Sequence, residues 1–211
     1  MFGSRLNGFL LAAIPLLVMT SVPMHASTIF SENFDAVPVG FGLTTAGQFS
    51  TINGTNVDVV GPGNGLGFLC AAPESGNCVD LGGTGGNPMG QLQLTTALNL
   101  APGVYNLSFD LVGSGRGVTT STTVTFGSYT NTFVLASGDT TSGIVINQMV
   151  TVAGGSTQLL FVDNGANGNV GALLDSVVIT NPSATPEPSS LMLLGTGVLG
   201  LAGAMRRKML S

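Results

Sequence analysis

The chain is poorest in the residues that enzymes use most. It has one histidine, His25, no tryptophan, two tyrosines, two cysteines and five cations in 211 residues. Four of those cations stand near the ends, at Arg5, Arg206, Arg207 and Lys208, so residues 27–185 keep only Arg116 and no lysine. Without histidine or lysine, histidine general-base catalysis, serine–histidine triads and Schiff-base chemistry are closed to that stretch. Its one cation faces nine carboxylates, Glu32, Asp35, Asp58, Glu74, Asp80, Asp110, Asp139, Asp163 and Asp175, a formal charge of −8. Such a surface repels phosphate backbones, which excludes nucleic acid as a partner. Two cysteines with no histidine nearby do not make a zinc site. A glycosidase needs only two carboxylates roughly 5–10 Å apart, and Asp80, Asp110 or Asp163 leave that route formally open. Nothing in the sequence pairs them, so no catalytic residue is assigned and the expectation is a protein that is not an enzyme.

What the chain does have begins with its ends. Arg5 precedes an apolar core at 9–20, and Ala26 suits the last position before a cleavage site, so residues 1–26 read as a secretory signal peptide. At the other end Pro186-Glu187-Pro188 leads through two serines into an apolar run, 191–205, that stops at Arg206, Arg207 and Lys208. At about 1.5 Å per residue, a helix of that length only just crosses a hydrocarbon core. The basic stop places the C-terminus on the cytoplasmic side and everything before Pro186 outside, which requires export of the body. Gly195-Thr196-Gly197-Val198-Leu199-Gly200 matches a dinucleotide-binding GxGxxG by letter. No strand precedes it and no acidic residue follows, so these are small residues in a membrane helix.

The Pro-Glu-Pro motif, the glycine-rich apolar helix and the basic end, in that order, resemble the PEP-CTERM sorting signal of Gram-negative bacteria. The resemblance implies that the C-terminal helix holds the chain in the inner membrane. There an exosortase, a membrane-embedded cysteine protease, reads Pro186, Glu187 and Pro188, removes the tail and passes the body to the cell surface or extracellular polysaccharide matrix. A plain C-terminal anchor is the alternative. The expected organisation is a signal peptide at 1–26, one domain at 27–182, and the sorting signal with its transmembrane helix and basic tail at 183–211.

Between the ends, threonine and valine favour strands while glycine and asparagine favour turns. The clearest strand is 104–112, where Tyr105, Leu107, Phe109 and Leu111 alternate with Asn106, Ser108 and Asp110. Further strands are expected at 57–60, 79–81, 91–95, 123–126, 129–135, 144–152, 158–162 and 173–180, separated by glycine and asparagine clusters. That pattern predicts an all-β, antiparallel sandwich of jelly-roll type. Cys70 and Cys78 flank a loop-like segment and are expected to form a disulfide in an oxidising compartment.

The phrases at 100–109 and 174–179, with Glu32-Asn33-Phe34, resemble galactose-binding-like jelly rolls and carbohydrate-binding modules. In several of those modules an acid near the first strand and an aspartate before the last help hold a structural calcium. The matching positions are Glu32 and Asp175, which read otherwise as two ordinary acids at sheet ends. For a sugar ligand the candidates are Arg116, set to meet an acidic sugar or pair with a carboxylate, and Tyr129, beside the turn at Gly127-Ser128. The expected role is a structural or adhesive component of the surface or biofilm matrix; the alternative is a module that binds an extracellular polysaccharide.

Overall fold

The computed structural model describes residues 26–70, 76–85, 89–139, 144–165, 169–181, 195–200 and 206. The chain divides into a compact body, His25–Ser183, and a second unit made of Met1–Met24 and Ala184–Ser211. In the second unit, residues 195–200 and Arg206 are helical and exposed. Among the described residues no helix is long and apolar enough to cross a membrane. The signal segment before Ala26, Pro186, Glu187, Pro188, Arg207, Lys208 and most of the expected membrane helix lie outside the described residues.

Among the described residues the body holds fifteen strands. In chain order they are β1 (Ser27–Glu32), β2 (Gly40–Leu43), β3 (Thr45–Ala46), β4 (Phe49–Thr51), β5 (Val57–Val60), β6 (Cys78–Asp80), β7 (Gln91–Leu94) and β8 (Leu98–Leu100). There follow β9 (Gly103–Val112), β10 (Thr120–Phe126), β11 (Tyr129–Leu135), β12 (Ile144–Val152), β13 (Gly155–Thr157), β14 (Leu159–Asp163) and β15 (Leu173–Asn181). A seven-stranded sheet runs β12-β9-β15-β6-β5-β2, with β1 also on β15. A six-stranded sheet runs β11-β10-β14-β7-β4-β3, and β13 pairs with β8. Neighbours in both large sheets are antiparallel, as the all-β reading requires.

Alternation decides which side chains go inside. On β9, Tyr105, Leu107, Phe109 and Leu111 are buried, while Asn106, Ser108 and Asp110 are half-exposed. Two sheets of this kind bury their apolar faces against each other. Phenyl rings connect them: Phe30 on Phe49 at 5.6 Å, Phe49 on Phe161 at 6.1 Å, Phe161 on Phe109 at 5.4 Å and Phe109 on Phe133 at 5.8 Å, each edge-to-face. Each such pair contributes roughly 0.5–1.5 kcal/mol beyond the area it buries. A smaller apolar cluster, Val60, Leu69, Cys70, Cys78, Val112 and Leu173, lies on the other face of the seven-stranded sheet. The Cys70–Cys78 disulfide, Cα–Cα 5.7 Å, closes that cluster.

Strand β1 is not among the expected strands, and its register shift against β15 between Thr28 and Phe30 interrupts its alternation. Strands β2, β3, β4, β8 and β13 also have no counterpart among the expected ones. They are two to four residues long, and β2 meets β5 with a register shift between Gly40 and Leu43. A segment this short carries too few alternations to signal a strand.

Candidate functional site

Polar chemistry concentrates at the end of the sandwich where β6, β14 and β15 exchange with their loops. Asp80, at the end of β6, is 1% exposed. Its Oδ1 accepts the Gly82 and Gly171 N–H groups, both at 2.9 Å. Those two segments touch backbone to backbone, and a Cβ at either glycine would overlap the other chain. Arg116, on the loop between β9 and β10, forms an ion pair through Nη2 with Asp80 Oδ2 and donates from Nη1 to the Asn169 carbonyl at 2.7 Å. One carboxylate and one guanidinium thus join three loops. Burial pushes the Asp80 carboxyl up, against the opposing pull of Arg116 and the two backbone donors.

Asp58 lies beside Asp80 in the register of β5 and β6. Its Oδ1 accepts Gly42 N and Thr84 N, both at 2.7 Å, and its Oδ2 accepts the Thr84 hydroxyl at 2.6 Å. Gly42 sits within the β2 register shift, so this carboxylate occupies the irregularity that the ladder leaves. On the facing sheet, Asp163 ends β14 on the same inward side as Leu159 and Phe161. Its Oδ1 accepts Gly165 N at 3.0 Å, while its Oδ2 and the hydroxyls of Thr120 and Thr122 are buried with no partner among the described residues. Thr122 is the register partner of Asp163. Burial, with a smaller push from Asp80 and a counter-pull from Gly165 N–H, raises the Asp163 carboxyl to about 6.

Arg116 is therefore committed to Asp80 and Asn169. Tyr129 is half-buried, packs against the main core and pairs with Phe126 across the Gly127-Ser128 turn. Glu32 and Asp175 stand on the paired strands β1 and β15. Glu32 accepts Phe34 N at 3.1 Å through Oε1 and Gln48 N at 2.9 Å through Oε2, and its register partner is Val177. Asp175 is 2% exposed, accepts Ser176 N at 2.7 Å and faces Asp110 on β9. Both acids thus fasten backbone, and among the described residues no group of three or more His, Cys, Asp or Glu is placed to hold a metal.

Sequence reasoning missed the buried polar role of Asp58 and Asp163. For Asp163 the signal was present, since Leu159, Phe161 and Asp163 share one parity.

The outer face of the six-stranded sheet is uncharged. Thr123 and Thr132 share a hydroxyl–hydroxyl hydrogen bond of 2.8 Å, Asn164 donates to Thr123 at 2.8 Å, and Asn53 donates to Gln91 at 2.9 Å. Beyond the end of β10, an open cavity of about 480 Å³ is lined by neutral donors and acceptors, among them Thr125, Ser128, Thr151, Ser156, Thr157 and Gln158.

Two measurements follow from the loop junction. Arg116→Ala leaves Asp80 buried without its cation and should cost about 3 kcal/mol in urea unfolding, the lower end of the range for breaking a buried pair because the arginine is one-third exposed. The folded protein holds the Asp163 proton more tightly than the unfolded chain. Its contribution to stability is complete below pH 3.8 and is lost as pH rises through about 6. Unfolding free energies of wild type minus Asp163→Asn should fall by up to about 3 kcal/mol between about pH 4 and pH 7.

No curated protein sequence matches this chain. Among solved structures, a cleaved adhesin domain of Lys-gingipain from Porphyromonas gingivalis aligns with TM-score 0.48 at 18% identity, over 75% of this chain and 99% of that one. The CBM22-1 xylan-binding domain from Paenibacillus barcinonensis Xyn10C aligns with TM-score 0.47 at 16% identity, over 78% of this chain and all of that one. The CBM22-1-GH10 modules of Clostridium thermocellum Xyn10B align with TM-score 0.48 at 13% identity, over 75% of this chain and 29% of that one. At the C-terminus, residues 184–208 match the PEP-CTERM protein-sorting motif.

Proposed function

We propose that this is an exported surface or extracellular-matrix protein, structural or adhesive in role, whose C-terminal signal is read and removed by an exosortase. The observation that carries the reading is the sorting motif at 184–208. It lies outside a body, 27–182, that contains both apolar clusters, since every core residue falls between Phe30 and Ile179. A non-catalytic role agrees with the state of the carboxylates. Asp80 is spent on Arg116 and two backbone amides, and Asp163 is buried.

A second reading, binding of a neutral extracellular glycan, is favoured by the cavity lined with threonine, serine and glutamine near Ser128. Sugars are recognised through hydroxyl hydrogen bonds, which such a lining supplies without charge. The absence of tryptophan, and a Tyr129 packed against the core, deprive it of a large aromatic platform.

Mass spectrometry of the protein recovered from its native host is expected to find a chain that ends near Pro186–Pro188. An intact terminus carrying Arg206, Arg207 and Lys208 would overturn the sorting assignment. On a glycan array the 27–182 fragment should stay blank if the role is purely structural. A specific hit that weakens on Gln158→Ala would replace that role with glycan binding.

A further inference from the structure

The two flanks of the sandwich are built differently. One ends in β2 and β3, strands of four and two residues with a register shift in the first. The chain passes from β2 to β3 through Thr44 alone and so ties the two sheets together there. Short strands and bulges are the usual protection of a sheet edge.

The other flank ends in β12 and β11, the outermost strands of the seven- and six-stranded sheets. They are nine and seven residues long, and each pairs with its inner neighbour without a shift. Neither contains a charge or a proline, and between Arg116 and Asp163 the only charged residue is Asp139. Val134 on β11 is 68% exposed and Met149 on β12 is 54% exposed. Ser128 N donates to the Thr151 carbonyl at 3.1 Å, which ties the β10–β11 turn to β12 and keeps both edges on one flank. Apart from the Thr151 carbonyl, which Ser128 N occupies, these long, regular, neutral edges meet no further strand among the described residues and offer their N–H and C=O groups to another strand.

We propose that this flank is where a second copy of the chain adds, edge to edge about a two-fold axis, so that the sheets continue antiparallel from one copy into the other. Charge selects the occupant. With a body at −8, two copies repel each other wherever their carboxylates face, whereas along β11 and β12 neither copy presents a charge. A two-fold axis also brings each edge strand onto an identical uncharged strand. The inference rests on the structural-component reading above and gives it a partner.

The test uses the 27–182 fragment with its disulfide formed, followed by sedimentation velocity over a range of concentrations. The expected result is a reversible dimer. Met149→Lys combined with Val134→Lys should weaken it at least tenfold, while Phe41→Lys, on the protected flank and 54% exposed, should leave it unchanged. Near-ultraviolet circular dichroism and melting should match wild type in all variants, because the three positions are exposed. A fragment that stays monomeric, a dimer that survives both edge lysines, one lost with Phe41→Lys, or an open-ended polymer would each overturn the proposal. None of these outcomes bears on whether the tail is cleaved, which the mass of the native C-terminus decides separately.

Discussion

With one cation in the body, the carboxylates have to find their hydrogen-bond donors in the backbone, and that need organises the loops. Asp58 takes Gly42 and Thr84, Asp80 takes Gly82 and Gly171, and Glu32 takes Phe34 and Gln48. Asp35 takes Asn77, Asp139 takes Ala136, Asp163 takes Gly165 and Asp175 takes Ser176. A buried charge without partners is costly, whereas backbone N–H groups draw a carboxylate toward its charged form, against burial, and the donating segment is immobilised. Several donors are glycines, whose N–H can approach where a side chain would collide. The abundance of glycine and the scarcity of lysine are two sides of one arrangement.

Beneath those loops, the sandwich depends on ordinary burial. Phenyl rings from β1, β4, β14, β9 and β11 interlock across the two sheets. The seven-stranded sheet also carries a second apolar cluster on its outer face, closed by the disulfide. Thus β5, β6 and the start of β15 are buried on both faces, and each sets one buried aspartate, Asp58, Asp80 or Asp175, among its apolar residues. The outer face of the six-stranded sheet is supplied with threonine, asparagine and glutamine, and on one flank the two sheets end in the long, regular strands β11 and β12.

Much of the fold was legible because period-two alternation is a local property. Strands β9, β11 and β12 stand where alternation and turn residues place them. The stretch from Gly40 to Thr51 was not legible, because strands of two to four residues with a register shift acquire their pairing from neighbours distant in sequence. Arg116 was recognised as the only body cation, yet its choice of Asp80, 36 positions away, depends on three loops meeting. Glu32 and Asp175 were marked as a pair, and they stand on the neighbouring strands β1 and β15, where each accepts backbone N–H.

The sequence alone determined the all-β class, the exclusion of histidine and lysine chemistry, the acidity of the body and the address at its C-terminus. Each follows from composition, from short-range periodicity or from a contiguous motif. The tertiary structure decided which carboxylates are buried, that Arg116 fastens loops while one-third exposed, that Tyr129 packs half-buried against the core, and that β11 and β12 end the two sheets on one flank. Those outcomes depend on which segments the two sheets bring together, and contacts between residues far apart in the chain leave no local pattern to read.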